Sequence, residues 1–158
     1  MSIGALAIWL GICFAAAAIG GMAKPGPWYW NMNKPTWNPP DWVFAPVWSI
    51  LFIMMAVAAA MVWSRRGSSG VGFAIACFVV QLLLNVTWSW LFFGFHRPDL
   101  AFYEVIPFWL MIVLTTVLFW RISPTAGKLM VPYVLWVGFA SYLNFILWRM
   151  NPYAIGRP

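Results

Sequence analysis

Long apolar runs alternate with short polar segments along this chain, and the alternation predicts its architecture. Five runs are long enough to cross about 30 Å of hydrocarbon as helices that rise about 1.5 Å per residue. They cover approximately residues 3–23, 42–63, 71–95, 100–120 and 129–150. Proline, glycine and charged residues mark the breaks, and no strand-like alternation of apolar and polar residues occurs. The pattern predicts an all-α integral membrane protein, a single bundle of five transmembrane helices.

Composition and charge agree with a multi-pass location in the lipid bilayer. Of the 158 residues, 64% are apolar and 8% are charged, against about 25% charged in a typical soluble domain. The nine lysines and arginines stand singly or in pairs between apolar runs, where contact with lipid headgroups is their ordinary role, so nucleic-acid binding is not indicated. Their even distribution between the two predicted sides leaves the orientation open. The first run lacks a charged leading segment and is interpreted as a membrane helix.

The longest connection, residues 24–41, has the most unusual composition of the chain. It reads KPGPWYWNMNKPTWNPPD, and its aromatic residues argue against disorder. Each proline fixes its own φ and biases its predecessor toward extended geometry. Long connections in compact proteins are usually functional, so we expect a packed lid at one end of the bundle. Asp41 and Asp99 each precede a predicted helix and are expected to act as N-caps.

Two predicted helices carry polar and aromatic side chains on one face at membrane depth. On the third helix, this face holds Gln81, Asn85, Trp88, Ser89 and Phe92. On the fifth helix, it holds Trp136, Phe139, Ala140, Leu143 and Asn144. The amide and hydroxyl groups either hydrogen-bond the helices together or line a pocket walled by aromatic rings. Spacing alone does not separate these two interpretations.

Small residues recur every fourth position on two helices. Ala7, Gly11 and Ala15 form one such stripe, and Gly72 and Ala76 form a second. Stripes of this kind let helices approach closely. The favoured interpretation is packing within the chain, with packing across a dimer as the alternative.

Conventional catalytic and metal-binding chemistry is sparse. The lone histidine, His96, has no second ligand at metal spacing, so it is expected to be a solvated turn residue and no metal site is predicted. Cys13 and Cys77 lie within apolar runs and are expected to be buried without a disulfide. The three acids, of which only Glu104 lies within a predicted helix, form no Ser-His-acid set and no proton path.

Aromatic surface is the feature that remains in quantity. The chain has 13 tryptophans, 13 phenylalanines and 5 tyrosines. Some rings belong to the interfacial belts, but Trp48, Trp88 and Trp136 are predicted deeper in the bundle. Walls of this kind suit a large, flat, apolar ligand, because aromatic rings stack favourably on one another.

Three motifs resemble those of the TspO/MBR family, whose members are called tryptophan-rich sensory proteins, translocator proteins or peripheral benzodiazepine receptors. Residues 34–48 read K-P-x-W-x-P-P-x-W-x-F-x-P-x-W, residues 81–94 read Q-L-x-L-N-x-x-W-S-x-x-F-F-G, and residues 132–145 read P-Y-x-x-W-x-x-F-A-x-x-L-N-F. With the pair Trp28 and Tyr29, the resemblance covers nearly the whole chain. It implies a five-helix membrane protein, usually a homodimer, with a cavity closed by the loop between the first two helices.

The resemblance also implies ligands and site residues. The ligands are porphyrins such as protoporphyrin IX and haem, isoquinoline- and benzodiazepine-type compounds and, in some members, sterols, with no obligatory cofactor. Matching positions that would line the cavity are Tyr29, Pro39, Trp48, Phe52, Asn85, Trp88, Ser89, Trp136, Ala140 and Leu143. Two of these, Trp48 and Trp136, match tryptophans implicated in light-dependent breakdown of porphyrin. The family's sterol-recognition pattern is incomplete here, because Phe145 stands where that pattern has a tyrosine before Arg149.

Three functions follow from these expectations. The first is a receptor-like protein that senses, sequesters or carries tetrapyrroles. The second is photo-oxidative degradation of porphyrin, which needs no acid–base set because indole is oxidisable and porphyrin is itself a photosensitiser. The third is transport, for which the sequence offers no inverted repeat. The sequence ranks them in that order and does not specify the membrane.

Overall fold

The computed structural model describes residues 1–157, which form a helical bundle with no strand among them. The helices are α1 Ile3–Gly21, α2 Pro27–Trp30, α3 Asp41–Trp63, α4 Val71–Ser89, α5 Pro98–Ile122 and α6 Pro124–Met150. A π-helical turn, Trp90–Gly94, continues α4, and a 3-10 turn, Pro152–Ala154, follows α6. Except for the short α2, all are long and apolar enough to span a membrane. The predicted five-helix membrane bundle is confirmed.

The five spans alternate in direction and give the bundle two distinct ends. At one end, here called the lid end, lie residues 24–40, the turn at 95–97 and the segment 151–157 that follows α6. At the other, here called the far end, lie the start of α1, the turn at 64–70 and Ser123 between α5 and α6. Because α1 and α4 both start at the far end, they run parallel to each other.

The two predicted N-caps are wrong. Asp41 is the first residue of α3, and Pro40 occupies the cap position without a side-chain hydrogen bond. Asp99 lies inside the first turn of α5, where its carboxylate pairs with Arg97 at 2.7 Å. Proline takes the position at or next to the helix start because its φ is already helical and its missing N–H is not needed there. Both acids still lie near a positive helix end, where a negative charge is favourable.

Helix α6 begins five residues before the predicted residue 129. Ser123 takes the extended cap conformation and Pro124 the first helical position, so the segment RISPTAGK contains a helix start and not a loop. The turn between α5 and α6 is tight as a result. A Cβ added at Gly127 would come within 2.6 Å of the Trp120 Cα, and glycine is therefore required there by close backbone approach.

The far end is filled by packed aromatic and small apolar side chains. The ring of Phe78 stacks on Phe119 at 5.5 Å and meets the edge of Trp9 at 5.6 Å. Alanines 58–60 of α3 are completely buried, which allows the neighbouring helices to approach closely. Cys13 and Cys77 are buried, free thiols, as expected from the apolar runs that contain them.

The small-residue stripes do not pack within the chain, so that interpretation is wrong. Ala7, Gly11 and Ala15 on α1 are exposed, and Gly72 and Ala76 on α4 are exposed as well. A Cβ built on either glycine would meet no atom within 4 Å. Instead, α1 turns Trp9, Cys13 and Gly20 toward its neighbours. Both stripes face outward.

Candidate functional site: an aromatic cavity at the lid end

The lid is ordered by its own short helix and by one lysine. Pro27 starts α2, and the Lys34 ammonium donates to the carbonyls of Tyr29 at 2.7 Å and Trp30 at 3.2 Å. The same ammonium lies 4.6 Å from the centre of the Tyr29 ring. A cation placed at the carbonyl end of a helix satisfies acceptors that have no partner within the helix. Lys34 therefore stabilises the folded conformation of the lid through contacts within the lid.

Beneath the lid, a cavity of about 450 Å³ lies between α1, α3, α4 and α6. This volume falls within the range of small-molecule sites. Its lining is mostly aromatic and aliphatic, with few polar groups. Nine of the ten residues predicted from the resemblance line it: Tyr29, Trp48, Phe52, Asn85, Trp88, Ser89, Trp136, Ala140 and Leu143.

Pro39 is the predicted site residue that the structure places elsewhere. It lines an apolar groove on the outer surface between α3 and α6, together with Ile50 and Leu135, whose side chains are exposed. Because Pro39 lies just before α3 begins, it forms the upper edge of this groove and is absent from the lining of the cavity. Trp136 borders both spaces, so its side chain is a shared wall between the cavity and the outer groove.

The buried amides on α4 connect helices, and one of them also lines the cavity. Asn85 donates through Nδ2 to the Tyr133 hydroxyl at 2.9 Å, and that hydroxyl donates to Gln81 Oε1 at 2.8 Å. Gln81 and Tyr133 are completely buried. Asn85 also lines the cavity. The two interpretations of the polar face therefore both apply: Gln81 serves helix packing alone, and Asn85 serves packing while facing the cavity.

A second amide fixes the orientation of a wall tryptophan. Asn144 accepts from Trp88 Nε1 at 3.0 Å and donates to the Pro98 carbonyl at 2.8 Å. These bonds join α4, α5 and α6 at one point. Trp88 also stacks on Phe92 at 5.4 Å. The ring of Trp88 is thereby held against the wall of the cavity.

Trp136 differs from Trp88 because its polar atom has no partner. Its ring contacts Phe44 at 5.8 Å and Phe139 at 5.6 Å between centroids. Its Nε1 atom is buried, and among residues 1–157 no acceptor lies within hydrogen-bonding distance. A buried N–H without an acceptor is costly, on the order of 1–3 kcal/mol. The indole N–H of Trp136 is thus an unsatisfied donor within the wall of the cavity.

One wall of the cavity could not be found from the sequence. It is formed by the last turns of α1 and the start of the lid: Phe14, Ala17, Gly20, Gly21 and Ala23. These residues belong to a uniformly apolar run with no polar face to mark an inner side. At Gly20, an added Cβ would lie 3.4 Å from Ser89 Oγ, so a small residue brings α1 against α4. Only the spacing of Gly20 with other small residues hints at this contact.

The electrostatics of the lid involve Tyr29 and Asp41. Burial raises the pKa of the Tyr29 phenol above its usual value, and the nearby carboxylate of Asp41 raises it further. Asp41 borders the cavity but is exposed, so its charge stays hydrated. Tyr29 therefore presents a neutral phenol to the cavity over the physiological pH range.

His96 lies in the predicted turn and is half-exposed, but its side chain also packs against the lid. Its imidazole stacks on the Trp28 indole with centroids 4.4 Å apart and planes inclined by 16°. Its Nδ1 lies 2.8 Å from the carbonyl oxygen of Arg157. His96 also adopts a positive φ of 53°, which is uncommon outside glycine. Contacts between residues so distant in the sequence place His96 between the lid and the segment that follows α6.

The fold and the site define a class: a multi-pass membrane protein with a ligand-sized aromatic cavity beneath a folded lid. The model of the TspO/MBR family matches residues 9–149, and the chain belongs to that family. It is 44% identical to the tryptophan-rich protein TspO of Chlorobaculum tepidum, over 93% of this chain and 96% of that protein. It is 38% identical to protein CrtK of Rhodobacter capsulatus, over 96% of each chain.

A more distant relative extends the comparison to animals. The chain is 34% identical to the human translocator protein, over 78% of this chain and 75% of that protein. Relatives that carry the names sensory protein and translocator protein support a receptor-like or sensory role in a membrane.

Proposed function

We propose that the protein binds a tetrapyrrole, protoporphyrin IX or haem, in the cavity beneath the lid, and senses, sequesters or carries it. Isoquinoline- and benzodiazepine-type compounds would occupy the same space. The observation that carries the proposal is an aromatic cavity of about 450 Å³ beneath the lid whose wall holds the unpartnered Trp136 indole N–H. A flat aromatic ligand would stack on the rings, and a small rotation of the Trp136 indole would bring its N–H to an acceptor on the ligand.

The proposal requires recognition of the ring system and not of a metal. Among the described residues that line the cavity, no histidine or cysteine is present to offer a nitrogen or sulfur ligand to iron. Ring stacking and the indole N–H are available to either form of the macrocycle. We therefore expect protoporphyrin IX and haem to bind with similar affinity.

The test is a titration of protoporphyrin IX into purified protein, followed by quenching of tryptophan fluorescence. In Trp136→Phe, the ring is kept and the N–H is removed, so affinity is expected to fall about tenfold, the value of one hydrogen bond. Trp42→Phe is the matched control, since Trp42 is 75% exposed and does not line the cavity. Absence of saturable quenching rejects the proposal, and unchanged affinity in Trp136→Phe removes the role given to its N–H.

Light-dependent degradation of porphyrin is the second candidate. Trp48 and Trp136 both line the cavity, so two oxidisable indoles would face a bound porphyrin, with dioxygen as the oxidant. The test follows the porphyrin absorption band under illumination in wild type, Trp48→Phe and Trp136→Phe at saturating ligand. A loss of absorption that is equal in all three and in protein-free detergent contradicts this activity.

Homodimer formation is supported by the exposed small-residue stripes on α1 and α4. Because α1 and α4 run parallel, their stripes lie on neighbouring helices and could accept a second copy at close range. Gly11→Leu is expected to shift the protein toward monomer in cross-linking experiments, while the exposed Gly4→Leu, about two turns nearer the start of α1, is expected to shift it less. Equal dimer fractions in wild type and Gly11→Leu contradict this placement.

A further inference from the structure

The hydrogen bonds of the lid point to a part of the molecule outside the cavity. Within the described residues, the Pro40 carbonyl accepts from Val43 N–H at the start of α3, and every other hydrogen bond between residues 24–40 and another element ends on Asn151, Tyr153 or Ala154. The remaining hydrogen bonds of these residues are internal, including those of Lys34. The segment 151–157 is therefore the polar attachment of the lid to the rest of the bundle.

Asn151 makes the central contact. Its Oδ1 accepts from the backbone N–H of Asn33 at 2.8 Å, and its Nδ2 donates to the Asn33 carbonyl at 2.8 Å. The amide side chain thereby pairs with both backbone groups of one lid residue, as a neighbouring strand would. Asn151 is completely buried. Its Nδ2 also donates to the Leu147 carbonyl at 2.9 Å, which fixes the side chain to the last turn of α6.

Trp28 makes the second contact. Its Nε1 donates to the Ala154 carbonyl at 2.9 Å, and its ring stacks on His96. Residues 151–157 are in turn hydrogen-bonded to His96, the other member of this stack. Gly156 N–H donates to the His96 carbonyl at 2.8 Å, and the Arg157 carbonyl accepts from His96 Nδ1 at 2.8 Å. The lid is thus connected through residues 151–157 to the turn between α4 and α5.

On its inner side, the lid meets the bundle through apolar contacts, which include the buried side chains of Tyr29 and Met32. Tyr29 contacts Phe92 at 6.3 Å and Phe93 at 5.5 Å between centroids. Edge contacts of this kind are worth roughly 0.5–1.5 kcal/mol each beyond burial and lack the directionality of hydrogen bonds. The directional contacts between the lid and the bundle are therefore the hydrogen bonds on the outer side.

We propose that residues 151–157 hold the lid closed over the cavity, with Asn151 and Trp28 as the positioning residues. Loss of either contact frees the lid without changing any side chain that lines the cavity. The rate at which a ligand leaves is then set outside the binding site. The part of this proposal that concerns a tetrapyrrole rests on the proposed function, and the part that concerns lid opening does not.

Lid opening can be measured without any ligand. In a cysteine-free background, Cys13→Ala and Cys77→Ala, the change Ser89→Cys places one thiol in the cavity lining. Its rate of modification by a charged, water-soluble methanethiosulfonate reports access from the lid end. Asn151→Ala removes two hydrogen bonds to the lid and is expected to raise this rate about tenfold or more, from roughly 1 kcal/mol per bond. Trp28→Phe keeps the stacked ring, removes one bond and is expected to raise it several-fold.

The matched control is Asn31→Ala, an asparagine of the same lid that is exposed and whose side chain makes no hydrogen bond within residues 1–157. Its modification rate is expected to equal that of the parent. Asn151→Ala also removes the hydrogen bond to the Leu147 carbonyl and could therefore fray the end of α6. Trp28→Phe avoids this effect, because Trp28 does not hydrogen-bond to that carbonyl. Unchanged thiol access in both Asn151→Ala and Trp28→Phe overturns the proposal.

The ligand measurement is separate. Protoporphyrin IX is bound to the wild type and to each variant with Ser89 intact, and its dissociation rate is measured by dilution into excess detergent micelles. We expect faster dissociation in the same order, Asn151→Ala above Trp28→Phe above Asn31→Ala. Faster thiol access with unchanged dissociation contradicts control of ligand release by this segment. Failure of every protein to bind porphyrin rejects the proposed function, and thiol access alone then decides whether the segment holds the lid.

Discussion

The two ends of the bundle use the same kinds of side chain to opposite effect. At the far end, Trp9, Phe78 and Phe119 meet ring to ring within the main hydrophobic core. At the lid end, Trp88 and Trp136 stand around an open space. The lid end is not short of large residues, so ring size does not explain the difference.

A hydrogen bond at one wall contributes to the difference. Trp88 donates to Asn144, which donates in turn to the Pro98 carbonyl. A ring held at its polar edge cannot turn inward to fill the space, whereas Phe78 and Phe119 have no polar edge and pack against each other. The comparison teaches that polar groups in this bundle keep a cavity open as much as they join helices.

The largest effect on stability is expected at the far end. Phe78→Ala removes a completely buried ring that contacts both Trp9 and Phe119, and the free energy of unfolding is expected to fall by about 3–5 kcal/mol. Denaturation in detergent measures this, with the 62% exposed Phe73→Ala as control. Porphyrin affinity of the folded protein is expected to stay unchanged. An equal loss of unfolding free energy in both variants, or weaker porphyrin binding by Phe78→Ala, would contradict the view that packing at the far end and binding at the lid end are independent.

The next largest effect on stability is expected at Tyr133, which lies between the packed far end and the cavity. Tyr133→Phe deletes a hydroxyl that joins Asn85 and Gln81 and leaves their buried amide atoms with one partner fewer. A loss of about 1–2 kcal/mol is expected, which is the upper range for hydrogen bonds between membrane helices. Tyr142→Phe is the control, because Tyr142 is exposed. Equal stability of the two variants would show that the network does not hold the helices together.

Removal of Glu104 is expected to stabilise the protein. Both carboxylate oxygens of Glu104 are buried, and neither has a hydrogen-bond partner in the part of the chain that the structure describes. A buried carboxyl group without partners opposes folding, so Glu104→Met, which keeps an unbranched side chain, is expected to add about 1 kcal/mol. Glu104→Gln is expected to fall between this variant and the wild type. Lower stability of Glu104→Met in thermal unfolding would contradict this assignment.

The smallest effect concerns the lid at high pH. Burial raises the pKa of Tyr29 in the folded protein, so at a pH above about 10, the usual value for tyrosine, the unfolded chain loses this proton first. Stability from the neutral phenol is thus present below about pH 10 and is lost as pH rises through the folded value. Stability measured between pH 9 and 11 should therefore fall more steeply in wild type than in Tyr29→Phe. If stability depends on pH equally in wild type and Tyr29→Phe, the Tyr29 phenol is exposed to water.

The fold follows from the sequence to a greater extent than the cavity does. Apolar run length predicts the five spans, because each helix in lipid must satisfy its own backbone. The start of α6 at Pro124 was missed because proline and glycine in RISPTAGK were interpreted as loop residues. Asn85 and Ser89 mark an inner face of α4, whereas the α1 wall around Phe14 is apolar on every side and carries no such mark. Contacts such as that of Trp28 with His96 join residues that only the folded chain brings together.

Trp136 has a further consequence for how the protein is handled and studied. Its indole is the wall common to the cavity and to the apolar groove on the outer surface, so one side chain separates the interior from the surrounding hydrocarbon. A variant that shortens it, such as Trp136→Ala, would let acyl chains or detergent tails reach the interior. These chains would then compete with the ligand for the cavity. The measured affinity of such a variant would therefore depend on the detergent or lipid as well as on the protein.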